Sequence, residues 1–154
     1  MTIRPCFSTE KAGSRPVTEG MMAEKKIRVL VADDEPDVVE IMEKRLAIAG
    51  FDVITALDGR EAWKLIVERL PDVIVLDINM PGMDGLSILR AMRSAPPTSK
   101  WQAVIIVSAR NQVENMHEGV DLQADHYLTK PCSPEDVVSA VRLVMKVGPL
   151  KIQW

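Results

Sequence analysis

Three short apolar runs decide most of what this chain can fold into: "IRVLVA" (27–32), "DVIVL" (72–76) and "AVIIVS" (103–108). Each is rich in β-branched side chains, and none alternates apolar with polar. Such a run suits a strand covered on both faces, and strands of that kind belong to parallel sheets sandwiched between helices. The stretches between them carry helical signals. "PDVVEIMEKRLAIAG" (36–50) has Val38, Met42, Leu46 and Ala49 at helical spacing, Pro36 in its first turn and Gly50 at its stop. "DGREAWKLIVERL" (58–70) opens on Asp58 with Glu61 three later, a capping-box pattern. Asp84 stands ready to cap "GLSILRAMRS", and Pro96 and Pro97 force a loop after it. "QVENMHEGVDL" (112–122) predicts a weaker fourth helix. "SPEDVVSAVRLVMKV" (133–147) predicts a fifth, with Ser133 as cap, Pro134 at the first position and Asp136 three after the cap. "DVITA" (52–56) and "DHYLT" (125–129) complete five strands. Five β/α units with right-handed crossovers give an α/β fold: a doubly wound, five-stranded parallel sheet with helices on both faces.

Composition narrows the class. The chain has 154 residues, a net charge of −3 and 47% hydrophobic residues, which suits one domain with a substantial core. We place that domain at 26–148, after a flexible N-terminal extension (1–25) and before a short C-terminal tail (149–154). The weak acidity, with no basic cluster carrying interleaved aromatics, argues against direct contact with nucleic acid. No apolar run approaches the roughly 18 residues of a membrane helix, so no membrane contact is expected. Arg4 has no apolar stretch behind it, as a secretory signal would, so the expected location is cytoplasmic. Cys6 and Cys132 read as free thiols in a reducing compartment.

The chemistry gathers at the carboxyl ends of the strands, where such folds bind ligands. Strand one ends in Asp33 and Asp34, strand three in Asp77, strand four in Ser108, and Lys130 follows strand five. Asp77 is expected at the open mouth of the sheet rather than buried. Three carboxylates crowded together repel, and a divalent cation removes the conflict. Ligands that are all oxygen favour Mg²⁺ over zinc, and Mg²⁺ keeps waters that leave room for a phosphoryl group. With the metal and Lys130 neutralising the phosphoryl oxygens, Asp77 can attack phosphorus as a carboxylate nucleophile. Blander roles are available to each residue taken alone. Asp33 and Asp34 would cap the following helix, Ser108 would be a turn residue and Tyr127 would pack at the rim of the core.

In this order, "VADDEPDV", "VIVLDINMPGMDG", "VSA" and "DHYLTKP" resemble the receiver domain of bacterial two-component response regulators. The resemblance covers about residues 26 to 147 and points to the stand-alone type. It implies a flavodoxin-like strand order, 2-1-3-4-5. It implies that Asp77 accepts a phosphoryl group from a sensor histidine kinase or a histidine phosphotransfer protein. Asp34 and Asp77 would bind Mg²⁺ directly with the backbone carbonyl of Asn79, and Asp33 would hold it through water. Lys130 would contact the phosphoryl group, Ser108 and Tyr127 would form the switch, and the Lys130–Pro131 bond would be cis. The readout face would comprise helix four, strand five and helix five, offered to an unknown downstream protein target or to a second copy in a homodimer. The chain would be a regulatory phosphoacceptor that assists its own phosphorylation and dephosphorylation, not an enzyme of turnover.

Three positions depart from the commonest pattern. Gln123 replaces a Gly, at a cost of about 1 kcal/mol if the backbone there is left-handed. Cys132 replaces an aromatic, and His126 an acid. Two rival classes remain at this level. A hydrolase with an aspartate nucleophile would need a proton-donating acid where Asn79 stands. A scaffold of the same fold would never be phosphorylated.

Overall fold

The two-faced apolar runs become strands in the computed structural model, which describes residues 25–109 and 123–148. The elements are β1 (Arg28–Ala32), α1 (Pro36–Ile48), β2 (Asp52–Ala56), α2 (Gly59–Arg69), β3 (Val73–Asp77), α3 (Gly85–Ser94), β4 (Ala103–Ala109), β5 (His126–Lys130) and α4 (Pro134–Val147). The five strands pair in parallel in the order β2-β1-β3-β4-β5, as expected. Helix α4 is the one that the sequence presents as the fifth. The helix expected over 112–122 lies outside the described residues, as do 1–24 and 149–154.

Strand alternation sorts the core into two layers. Leu30, Ile74, Leu76, Val104 and Ile106 point one way and meet Ala62 and Ile66 of α2 with Ile88, Leu89 and Met92 of α3. Val29, Val31, Val73, Val75, Ile105 and Val107 point the other way and meet Met42 and Leu46 of α1 with Val137, Val141 and Val144 of α4. β3 is buried along its whole length because it lies in the middle of the sheet. Along α1 the sequence places Val38 in the core; the structure leaves Val38 half-buried against it and buries Val39 instead.

The caps follow the sequence in most details. Asp58 accepts a hydrogen bond from the Glu61 backbone N–H, and Asp84 from that of Ser87, each at 2.8 Å. Ser133 and Asp136 form the reciprocal capping box at α4. Glu61 differs from expectation: its carboxylate reaches one residue further back, to the N–H of Leu57. Helix α1 differs too, since its N-cap is Glu35, whose side chain makes no cap bond. Gly50 ends α1 with φ +101°. Leu70 ends α2 in the left-handed region at φ 48°, which no sequence signal foretold, and Gln123 adopts φ 65°. The left-handed cost expected at Gln123 is therefore present.

The amino-terminal end of the sheet is locked by polar pairs. Arg93 bonds Asp125 at 3.1 Å and lies 4.1 Å over the Trp101 ring, while Asp125 also accepts from the Val104 N–H and the Trp101 indole. Asp72 accepts from Lys100 at 2.6 Å and from the Arg28 N–H at 2.9 Å. Among the described residues no helix is long and apolar enough to cross a membrane.

Candidate functional site

The same alternation that builds the two layers assembles the site at the other end of the sheet. Asp33 follows Val29 and Val31, Asp77 follows Val73 and Val75, and Lys130 follows Leu128, so all three lie on the α1/α4 side. Asp33 stays in line because its N–H extends the ladder to the Ala56 carbonyl at 3.2 Å. One carboxylate oxygen each from Asp33, Asp34 and Asp77 lies within 4.8 Å of the others. The Lys130 ammonium donates to Asp33 at 3.1 Å and to Asp77 at 3.3 Å, with Glu35 at 4.0 Å. The second oxygen of Asp33 accepts the Glu35 N–H at 3.0 Å. Asp33 thus tightens the turn into α1 without being its cap.

Asp77 corrects an expectation. It sits at the end of its strand, yet it is only 5% exposed. β3 is central, and the following loop folds back over its end. Ile78 bonds the Val107 carbonyl, and the Gly85 N–H returns to the Ile78 carbonyl. Burial, then the nearby Asp33 charge, push the Asp77 carboxyl up to about 6, against the pull of Lys130 and the Asn79 backbone N–H. Burial would pull the Lys130 ammonium down, but the charges of Asp77 and Asp33 more than reverse it, so its pKa lies above the ordinary value. The buried acids are tolerated because that cation lies between them.

Two glycines let the loop close. A Cβ on Gly85 would lie 2.5 Å from the Asp77 carbonyl oxygen, and one on Gly59 would lie 1.6 Å from that of Met83. The start of α2 therefore rests on the loop that carries Asn79, where the Gly59 N–H bonds the Pro81 carbonyl. Sequence reading missed Gly59 as part of this support; nothing local in "LDGRE" announces contact with a loop more than twenty residues away. Asn79 itself is exposed, and the Lys130–Pro131 bond is cis, as expected.

Ser108 and Tyr127 stand on the other side of the sheet. Ser108 follows Val104 and Ile106, and Tyr127 packs against the layer under α2 and α3. Ser108 is fully buried, and its hydroxyl has no hydrogen-bond partner among the described residues. The structure thus gathers Asp33, Asp34, Asp77 and Lys130 into one cluster, and sets Ser108 beside it on β4, one residue after the Val107 that pairs with Asp77. The cluster offers oxygen donors only, with one exposed and two buried carboxylates, a set that fits a hard divalent cation such as Mg²⁺.

Comparison with known proteins agrees with this arrangement. Residues 29–142 match the family model of the response regulator receiver domain. The transcriptional regulatory protein PrrA of Mycobacterium bovis is 41% identical over 139 residues, covering 81% of this chain and 58% of that protein. The chain spans about half the length of the curated relatives it matches, from 46% to 58%. The receiver domain of the Francisella response regulator 1452 superposes with a TM-score of 0.72 at 37% identity, covering 79% of this chain and 98% of that one. The chemotaxis response regulator CheY4 of Vibrio cholerae superposes with a TM-score of 0.69 at 29% identity, covering 80% and 100%. The sheet order, the acids at the strand ends and the family match lead to one conclusion: this chain belongs to the response regulator receiver domains of two-component systems.

Proposed function

We propose that Asp77 accepts a phosphoryl group from the phosphohistidine of a sensor histidine kinase or a histidine phosphotransfer protein. The observation that carries this is the Lys130 ammonium held between Asp33 and Asp77 at 3.1 and 3.3 Å. An Asp77 carboxylate oxygen attacks phosphorus, the P–N bond to the donor imidazole breaks, and its electron pair leaves with the nitrogen. Above the Asp77 pKa of about 6 the nucleophile is already ionised, so no general base is required. Lys130 neutralises the arriving phosphoryl oxygens. Asp33, Asp34, Asp77 and the Asn79 carbonyl would hold Mg²⁺, Asp33 through water. Bound there, the cation supplies positive charge against the oxygens of the transferred group.

The buried Ser108 hydroxyl is a donor with nothing to donate to among the described residues, and a phosphoryl oxygen on Asp77 would give it a partner. Its shift makes room beside β4 for Tyr127, so phosphorylation favours one of two packings. The readout face includes β5 and α4, and is used for a protein target or a homodimer; the helix expected over 112–122, its third part by resemblance, lies outside the described residues. The relatives' names make them transcriptional regulators, which supports a target in gene control rather than a metabolic one.

Incubation with acetyl phosphate and Mg²⁺ tests the reading. Intact mass should rise by one phosphoryl group, chelation should prevent the gain, and Asp77→Asn should abolish it. No gain with any small phosphodonor would favour a scaffold that is never phosphorylated, and sustained release of phosphate from monoesters would favour a hydrolase.

A further inference from the structure

Beside the acids, on the α1/α4 side of the sheet, lies a cleft of about 420 Å³. Small-molecule sites typically enclose roughly 300–1,000 Å³. Its walls are Val31, Val75 and Val107 from the sheet, Val38 and Met42 from α1, and Cys132. The sheet valines are at most 5% exposed, so the floor of the cleft belongs to the core. Cys132 leaves the space open because its side chain is short. Burial pushes its thiol above the ordinary value, which makes it apolar lining and no nucleophile. Asp33, Glu35, Asp77 and Lys130 line the same cleft. Three carboxylates thus face one ammonium, and that ammonium is already bonded to two of them. An occupant that matches both regions has an apolar body and a cationic head.

We propose that this cleft binds a small amphiphilic amine, its hydrocarbon part against Val31, Val75 and Val107 and its ammonium among Asp33, Glu35 and Asp77. The head would use the oxygens that the proposed function gives to Mg²⁺, so amine and metal exclude each other, and each raises the other's apparent dissociation constant as its own concentration rises. Only this competition rests on the proposed function; the binding itself does not.

Hexylamine is a suitable probe for the full chain at neutral pH, followed by NMR of the valine methyl groups. Saturable shifts at Val31, Val75 and Val107 are expected, with intermolecular NOEs from the probe's chain to these methyls. Hexanol and hexanoate should bind at least about tenfold more weakly, and the folded Cys132→Phe variant should lose binding. Millimolar Mg²⁺ should raise the apparent dissociation constant of hexylamine. Shifts that do not saturate, the absence of those NOEs, equal binding of hexanol, or unchanged binding by folded Cys132→Phe would each overturn the site. The NOEs decide the matter even if that variant does not fold. Binding that ignores Mg²⁺ would overturn the shared-oxygen claim. Failure of acetyl phosphate labelling with hexylamine binding intact would remove the proposed function and leave the cleft standing.

Discussion

Asp77 is a residue on which pH acts. Its carboxyl is raised from 3.8 to about 6, so between those values the folded protein holds more protons than the unfolded chain. Metal-free protein should therefore lose stability as pH rises through that window, by up to about 3 kcal/mol for a shift near two units. Asp77→Asn should flatten this dependence and make the protein more stable at neutral pH, as read from urea unfolding at several pH values with a chelator present. A variant that keeps the wild-type slope would show that the burial of Asp77 is not its source. Ser108 gives a second test. The Ser108 hydroxyl is buried with no partner among the described residues, so Ser108→Ala should shed a desolvation penalty and gain about 1 kcal/mol in the same assay. Its phosphorylated form should then differ less from the unphosphorylated one than in wild type, measured by chemical shifts in β5. Both expectations come from burial, which the sequence did not announce. "VLDINM" shows an acid at the end of a run; whether a loop then folds over that acid depends on residues far along the chain.

Among the elements, the start of α2 and the loop after β3 act as one support. Gly59→Ala would place a Cβ against the Met83 carbonyl, and no flexible side chain is there to yield. A loss of about 2 kcal/mol or more is expected, with weaker Mg²⁺ binding because the Asn79 segment must move. Calorimetric titration of Mg²⁺ beside thermal unfolding would check this; unchanged affinity in a destabilised variant would separate the loop from the metal. Much at this scale was legible. The buried strands show as unbroken apolar runs because helices cover both faces, and Asp84 and Ser133 show as caps because an N-terminal donor needs a local acceptor. The half-buried edge strand β5 was harder to bound, and "DHYLT" stops one residue short of Lys130. Leu70 was invisible, since a leucine in the left-handed region is held there by the chain around it and not by its own preference.

Over the whole molecule, the two ends of the sheet do different work. The acids lie at the carboxyl end, and the Arg93–Asp125–Trp101 lock lies at the amino end. The side chains of Arg93 and Asp125 are only 15% and 3% exposed, and burial alone pushes the guanidinium down and the carboxyl up. Arg93→Met would leave Asp125 buried without its cation, so a loss of about 3 kcal/mol is expected in chemical denaturation. Labelling by acetyl phosphate should persist wherever that variant stays folded. Loss of labelling in the folded variant would tie the two ends together. Residues 93, 101 and 125 carry no shared local pattern, and only the assembled fold brings them together. The match of sequence to fold was therefore best where a signal is periodic and poorest where contact depends on distant chain.

The division of side chains between the two faces of the sheet has a further consequence. The sheet is a bulkhead one residue thick, with Asp33, Asp77 and Lys130 in one compartment and Ser108 and Tyr127 in the other. A phosphoryl group on Asp77, under the proposed function, would sit at the edge of that partition. The crossing point is a single step along β4, from Val107, paired with Asp77, to Ser108. Under the proposed function, that one-residue step is where the phosphoryl group and the Ser108 hydroxyl would meet, with Tyr127 behind them on the Ser108 side.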